Sequence, residues 1–306
     1  MEKHFIQQNR LLLLILFVLF VFTDSYADWK LVKQLDATYA TFVTKSGNLL
    51  LSDFRIEKDG GIYISKDEGK SWVKTNATDY NYNKFIEVDN HIFAIGYGAN
   101  IACSSDEGNT WAEYSYADAV KDVISEANMP YTVAYAAAYH NNKLYLADFC
   151  GGGVIYSEDL GKTWKNTDLA SLKYTMKDDD GSSVENTENI SFKGKLYAFG
   201  VYFVFYLDEA TNKWKTISDR SNFMAVSTIF NNTLLLGRSV PNDDFKTPFI
   251  VTLDDGEKWG ELPRPSGLMD NNIRAMASDA TNIYIGLQKG GFYYTPNSGT
   301  KWFNIS

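Results

Sequence analysis

The amino-acid sequence predicts an all-β chain that repeats a four-stranded unit six times. An eight-residue stretch ending in Trp recurs at Ser65–Trp72, Ser104–Trp111 and Ser157–Trp164, and weaker copies end at Trp214, Trp259 and Trp302. The intervals between these Trp residues run from 39 to 53 residues, which is the period of a propeller blade rather than of a helical repeat. The chain is also rich in strand-forming aromatics, with 20 Tyr, 19 Phe and 7 Trp. We therefore predict a six-bladed β-propeller of four-stranded antiparallel blades.

Residues 1–27 are expected to be a secretory signal peptide. Lys3 and Arg10 precede the apolar run Leu11–Phe22, and Ser25-Tyr26-Ala27 offers small residues where a signal peptidase cuts. The apolar run is shorter than the ~20 residues of a spanning helix, so we expect cleavage and no stable membrane insertion afterwards. Residues 28–306 are then expected to form a single propeller domain in an extracytoplasmic compartment, either secreted or periplasmic.

Each repeat shows the same order of elements. In the second repeat the apolar strands "KFIEV" and "IFAIGYG" flank a tight turn, and "NIACS" leads into the Trp-ending stretch. Tyr116–Ala127 has helical spacing and is predicted to be one surface helix. The terminal segments "WKLV", at Trp29, and "WFNIS" both look like the strand that follows a Trp-ending stretch. We expect one of them to complete the last blade and the other to flank it.

The residue types of the Trp-ending stretch suit a tight turn. Hydroxyl and carboxylate groups such as those of Ser65 and Asp67 bond readily to turn backbone, and Gly69 accepts backbone angles that a side chain resists. Trp72 then buries a large apolar surface as the chain re-enters the sheet. Every part of the motif thus serves the turn and its packing.

These stretches resemble the Asp-box, or BNR-repeat, β-propellers of the sialidase and sortilin-like superfamily, whose consensus is Ser-x-Asp-x-Gly-x-Thr-Trp. The resemblance implies that each box lies on the turn between the third and fourth strands of a blade and that its Asp is structural. The residues to which it gives this structural role are Ser65, Asp67, Gly69, Trp72, Ser104, Asp106, Gly108, Trp111, Ser157, Asp159, Gly161, Trp164, Asp254, Gly256, Trp259, Gly299 and Trp302.

A ligand is expected on the face opposite the boxes, near the central channel, because the variable connections between the second and third strands emerge there. Weak catalytic candidates in these connections are Asp53, Asp59 and Asp148. The ligand-binding candidates are Arg55, Arg238, Arg274, Phe54 and Phe149.

Sialidase activity is not predicted. Sialidases resemble one another in a triad of arginines, the first within a Phe/Tyr-Arg-Ile-Pro motif on the first inner strand. That place reads Tyr39-Ala40-Thr41-Phe42 here, so the arginine is absent. Phe54-Arg55-Ile56 falls on a different connection, and Glu57 stands where the motif has Pro.

Other chemistries find little support in the composition. The formal net charge of -9 disfavours nucleic acid as a partner. His91 and His140 lie in polar hairpin turns, where we expect exposed side chains rather than a triad or zinc ligands. No metal and no cofactor are predicted. Cys103 and Cys150 fall on neighbouring repeats, and the sequence leaves open whether they pair.

Two functions of different class remain. The first is a monomeric binding or scaffold module that recognises a protein or a glycan through its channel face. The second is a glycoside hydrolase or lyase, which requires two carboxyl groups roughly 5 to 10 Å apart across the substrate. We favour the binding module, since no pair of carboxylates stands out from the many acidic loop residues.

Overall fold

The structure is a computed structural model. It describes residues 38–53, 60–77, 81–97, 100–115, 134–148, 153–168, 186–192, 194–200, 204–218, 224–238, 249–252, 259–261, 273–287, 291–296 and 301–305. These residues belong to one compact unit, Leu35–Ser306. The predicted signal peptide (1–27), the predicted helix (116–127) and most connections between second and third strands lie outside the described residues. Within the described ranges, no helix is long and apolar enough to cross a membrane.

The described strands form six four-stranded antiparallel sheets, each built from four consecutive strands. Sheet 1 contains β1 (Thr38–Val43), β2 (Leu49–Asp53), β3 (Gly61–Ser65) and β4 (Val73–Lys74). Sheet 2 contains β5 (Asn81–Val88), β6 (His91–Tyr97), β7 (Asn100–Ser104) and β8 (Ala112–Ser115). Sheet 3 contains β9 (Ala134–His140), β10 (Lys143–Asp148), β11 (Gly153–Ser157) and β12 (Lys165–Asn166).

Sheets 4 to 6 continue this pattern. Sheet 4 contains β13 (Asn186–Phe192), β14 (Lys195–Gly200), β15 (Val204–Asp208) and β16 (Lys213–Ser218). Sheet 5 contains β17 (Met224–Phe230), β18 (Thr233–Arg238), β19 (Phe249–Thr252) and β20 (Trp259–Glu261). Sheet 6 contains β21 (Ile273–Ser278), β22 (Ile283–Leu287), β23 (Phe292–Thr295) and β24 (Phe303–Asn304).

The fold is a β-propeller, and the predicted all-β chain of four-stranded antiparallel sheets is confirmed. The predicted count of six blades is wrong: the architecture is that of a five-bladed β-propeller, so the six sheets along the chain do not correspond one to one with blades. The Trp spacing counted sheets along the chain. It carries no information on the number of blades, because that number depends on how whole sheets pack against one another.

Each sheet has two faces because side chains alternate along its strands. We call the face turned to the sheet before it in the sequence the preceding face, and the other the following face. Between sheets 1 and 2, Leu50, Ile62 and Ile64 of the following face pack on Ile92 and Trp111 of the next sheet. The same registers meet between sheets 2 and 3, where Phe93 and Ile101 pack on Leu144 and Trp164. The core is therefore a series of similar layers between sheets.

Polar contacts reinforce these interfaces at the Trp of the next sheet. The Asn76 Nδ2 donates to the Trp111 carbonyl, and the Trp111 N–H donates to the Asn76 Oδ1, each at 2.8 Å. Asp168, also four residues after a Trp, accepts from the Trp214 N–H at 3.0 Å. Each contact joins the end of one sheet to the re-entry point of its neighbour.

The C-terminal segment supplies the fourth strand of sheet 6, since β24 pairs with β23 through Tyr294 and Phe303. This answers the question that the two similar terminal segments left open. The "WKLV" segment at Trp29 lies outside the described residues.

Candidate binding site

All six second strands end on the same side of their sheets, which we call the exit end. The last residues of these strands are Asp53, Tyr97, Asp148, Gly200, Arg238 and Leu287. Asp53, Asp148 and Arg238 occupy equivalent registers, because each is the last residue of its strand to pair with the first strand. The sequence predicted this grouping from loop position alone. The candidates Phe54, Arg55, Asp59 and Phe149 lie outside the described residues.

The first strand of every sheet carries a β-bulge at the exit end. In sheet 1, Thr38 pairs with Asp53 and Ala40 pairs with Ser52, which leaves Tyr39 as the extra residue. The extra residues in the other sheets are Asn83, Tyr135, Thr187, Ala225 and Arg274. Bulges redirect side chains and are frequent beside functional sites. No single residue type marks these positions, so the sequence analysis missed them, apart from Arg274.

Two of the bulged residues whose side chains are described are suited to binding. Arg274 is exposed on β21 and carries a permanent positive charge. The Asn83 Oδ1 atom is buried and accepts no hydrogen bond from the part of the chain that the structure describes. A buried acceptor without a donor costs about 1–3 kcal/mol, which a donor from a ligand or a water would recover.

Asp53 is fully buried, at 0% exposure. Its neighbour Ser52, which is also buried, accepts a hydrogen bond from the Ala40 N–H at 2.9 Å and donates to the Tyr82 carbonyl of sheet 2. The Tyr82 hydroxyl in turn donates to Glu113 at 2.8 Å. These bonds fix the exit end of sheet 1 against sheet 2 and leave Asp53 away from solvent.

The box turns use their polar groups internally. Ser65 Oγ donates to Asp67 Oδ1 at 2.8 Å and accepts from the Gly69 N–H at 2.9 Å. Asp67 also accepts from the N–H and the hydroxyl of Ser71, at 2.8 and 2.6 Å. The bond from the Ser71 hydroxyl is the main cause that lowers the pKa of Asp67 to about 2. This carboxylate stays ionised at neutral pH and is saturated with donors.

The second and third boxes repeat these bonds. Ser104 and Ser157 each donate to the box Asp at 2.8 Å. Burial alone raises the pKa of Asp106, but the bonds from Thr110 and Ser104 outweigh it and the net pKa falls. Burial likewise opposes the bonds from Thr163 and Ser157 at Asp159, where the net pKa also falls.

Two consecutive left-handed residues form each of the first three box turns. Besides the predicted Gly69, Gly108 and Gly161, the residue before each glycine has positive φ; these residues are Glu68, Glu107 and Leu160, at 61°, 60° and 58°. The sequence analysis missed this position because no glycine marks it. A Cβ on Gly108 would lie 2.8 Å from Leu50 Cδ2, so the box glycine is also a packing residue between sheets.

The Trp residues of the first two boxes donate hydrogen bonds to their own turns. The Trp72 Nε1 donates to the Gly69 carbonyl at 3.0 Å, and the Trp111 Nε1 donates to the Gly108 carbonyl at 3.1 Å. Trp259 begins β20 and Trp302 precedes β24, whereas Asp254, Gly256 and Gly299 lie outside the described residues.

The box that matches the consensus least, Leu207–Trp214, is contacted by a residue of the neighbouring sheet 3. The Ala210 N–H donates to Asp208 at 3.1 Å within the turn. The His140 Nε2 of sheet 3 lies 2.7 Å from the Glu209 Oε1. His140 is 4% exposed, so the prediction of an exposed turn residue is wrong for it. The neighbouring sheet supplies this buried contact, which the local sequence could not reveal.

Cys103 forms no disulfide with any residue that the structure describes. It packs against the core between sheets 2 and 3, and burial raises its pKa to about 11. Cys150 lies outside the described residues. Across the described ranges, no group of three or more His, Cys, Asp and Glu residues is placed to hold a metal ion.

Solved structures similar to this chain are β-propellers. YCF48 from Cyanidioschyzon merolae has a TM-score of 0.61 at 15% identity, over 90% of this chain and 88% of that protein. A structure of YCF48 bound to D1 peptide has a TM-score of 0.57 at 15% identity, over 88% of this chain and 83% of that one. The extracellular domain of BT4673 from B. thetaiotaomicron reaches 0.63 at 11% identity, over 87% of this chain and 34% of that domain.

At sequence identities of 11% to 15%, the similarity to these structures shows a shared fold and nothing more specific. No protein-family model matches the sequence. Comparison with curated proteins likewise found no match.

Proposed function

We propose that this chain is an extracytoplasmic Asp-box β-propeller that acts as a monomeric binding or scaffold module and holds a protein partner at the exit end. The observation that carries this proposal is the bulge repeated at one register in all six sheets. It presents the exposed Arg274 and the unsatisfied Asn83 acceptor on the same side of their sheets. The box carboxylates, saturated by their own turns, serve a structural role.

A protein partner is favoured over a glycan by the structural neighbours. One of them, YCF48, is a propeller bound to a peptide, and others are extracellular domains of BT4673 and BT3049. These neighbours also support an extracytoplasmic location, in agreement with the apolar leader in residues 1–27. A glycan partner is the alternative outcome of the test below.

Burial of Asp53 argues against a hydrolase. A glycosidase needs two carboxyl groups that reach the substrate from either side. Asp53 was one of the three weak catalytic candidates, yet its side chain has no exposed surface. Binding requires only the presented side chains and backbone groups of the exit end.

Affinity purification with matched variants tests the binding function. The purified protein is immobilised, incubated with the extracytoplasmic fraction of its source, and the retained proteins are quantified by mass spectrometry. We expect a partner that is retained by the wild type and by Lys66→Glu, a variant of an exposed box-turn residue, but lost with Arg274→Glu. Equal retention by all three would refute the exit-end site.

A screen against aryl glycosides and a glycan array separates the alternatives. We expect no turnover by the wild type. Turnover that Asp53→Asn or Asp148→Asn abolishes would refute the binding module in favour of a hydrolase. If the wild type binds a glycan and Arg274→Glu does not, the proposed site is correct and its partner is a glycan rather than a protein.

Location is tested by fusing residues 1–27 to alkaline phosphatase, which is active only after export. We expect activity outside the cytoplasm and a mature N-terminus at Asp28. An inactive fusion would contradict the proposed signal peptide.

A further inference from the structure

We draw no further inference here: the strongest candidate, the partly exposed row of stacked rings formed by Tyr284, Tyr294 and Phe303 on sheet 6, carries nothing because no contact among the residues that the structure describes shows what covers it.

Discussion

Replacing Leu51 and Leu146 by Ala, one at a time, measures directly whether the preceding face of sheet 1 is exposed in solution. Both residues are Leu, both lie on second strands, and both occupy the same register of the preceding face. They differ in burial, since Leu146 is 0% exposed and Leu51 is partly exposed. The two substitutions therefore remove the same side-chain atoms from the same strand position, and differ only in how buried those atoms are.

The structure sets the size of the expected difference. Truncating a fully buried Leu loses its transfer free energy and leaves a cavity, for a total of about 2–5 kcal/mol. Leu146 packs within the core layer between sheets 2 and 3, so we expect roughly 3 kcal/mol. Leu51 has solvent on one side and leaves no closed cavity, so we expect roughly 1 kcal/mol. The difference of about 2 kcal/mol is roughly a thirtyfold change in the unfolding equilibrium constant.

Equilibrium unfolding in urea provides the assay. The midpoint shifts while the slope m should stay constant, because neither variant changes the surface exposed on unfolding by much. Equal losses of stability in the two variants would mean that Leu51 is buried in solution. The preceding face of sheet 1 would then be covered in solution.

Three further predictions concern the turns and the contact between sheets 3 and 4. Gly108→Ala should destabilise the fold by roughly 2–3 kcal/mol, because φ is +88° and the new Cβ would lie 2.8 Å from Leu50. Gly47→Ala is the control, since Gly47 has a similar φ of +90° but no atom within 4 Å of the new Cβ. It should cost only about 1 kcal/mol in the same urea assay. The pKa of Asp67 is lowered from 3.8 to about 2, so its contribution to stability is present above pH 4 and is lost as the pH falls through 2. In thermal unfolding measured as a function of pH, Asp67→Asn should lose this pH dependence. An unchanged pH dependence would contradict the role of the hydrogen bonds to Asp67. Glu209→Ala removes the acceptor that lies 2.7 Å from the buried His140 and should lower the free energy of unfolding by about 1–3 kcal/mol. Glu209→Gln keeps an acceptor oxygen and should lower it by less. Equal losses in the two variants would show that the charge of the carboxylate is the essential property.

The turns were predictable because their contacts are local. Every hydrogen bond that orders the first box joins residues within Ser65–Trp72, so their identities alone encode the turn. The strands were predictable for a similar reason, since alternation of apolar residues and turn residues specifies each hairpin over a few positions. The grouping of Asp53, Asp148 and Arg238 at the exit end also followed from strand order, because all second strands run in the same direction.

Features that join distant parts of the chain were not predictable. The local sequence around His140 predicts an exposed turn residue, because its partner Glu209 lies 69 positions later in the chain. The bulges carry no single residue type, and they are defined only by the pairing of the residues around Tyr39, Asn83 and their equivalents with another strand. The contact between Asn76 and Trp111 spans 35 positions and two sheets.

The sequence by itself determined the propeller architecture and the four-stranded antiparallel unit, because both depend on strand and turn patterns within one repeat. Only the tertiary structure decided the blade count and the exposure of the terminal sheets. Leu49 and Leu51 have the same residue type as the buried Leu144 and Leu146. What distinguishes them is whether another sheet lies against them, and that depends on the arrangement of whole sheets rather than on the sequence of any single repeat.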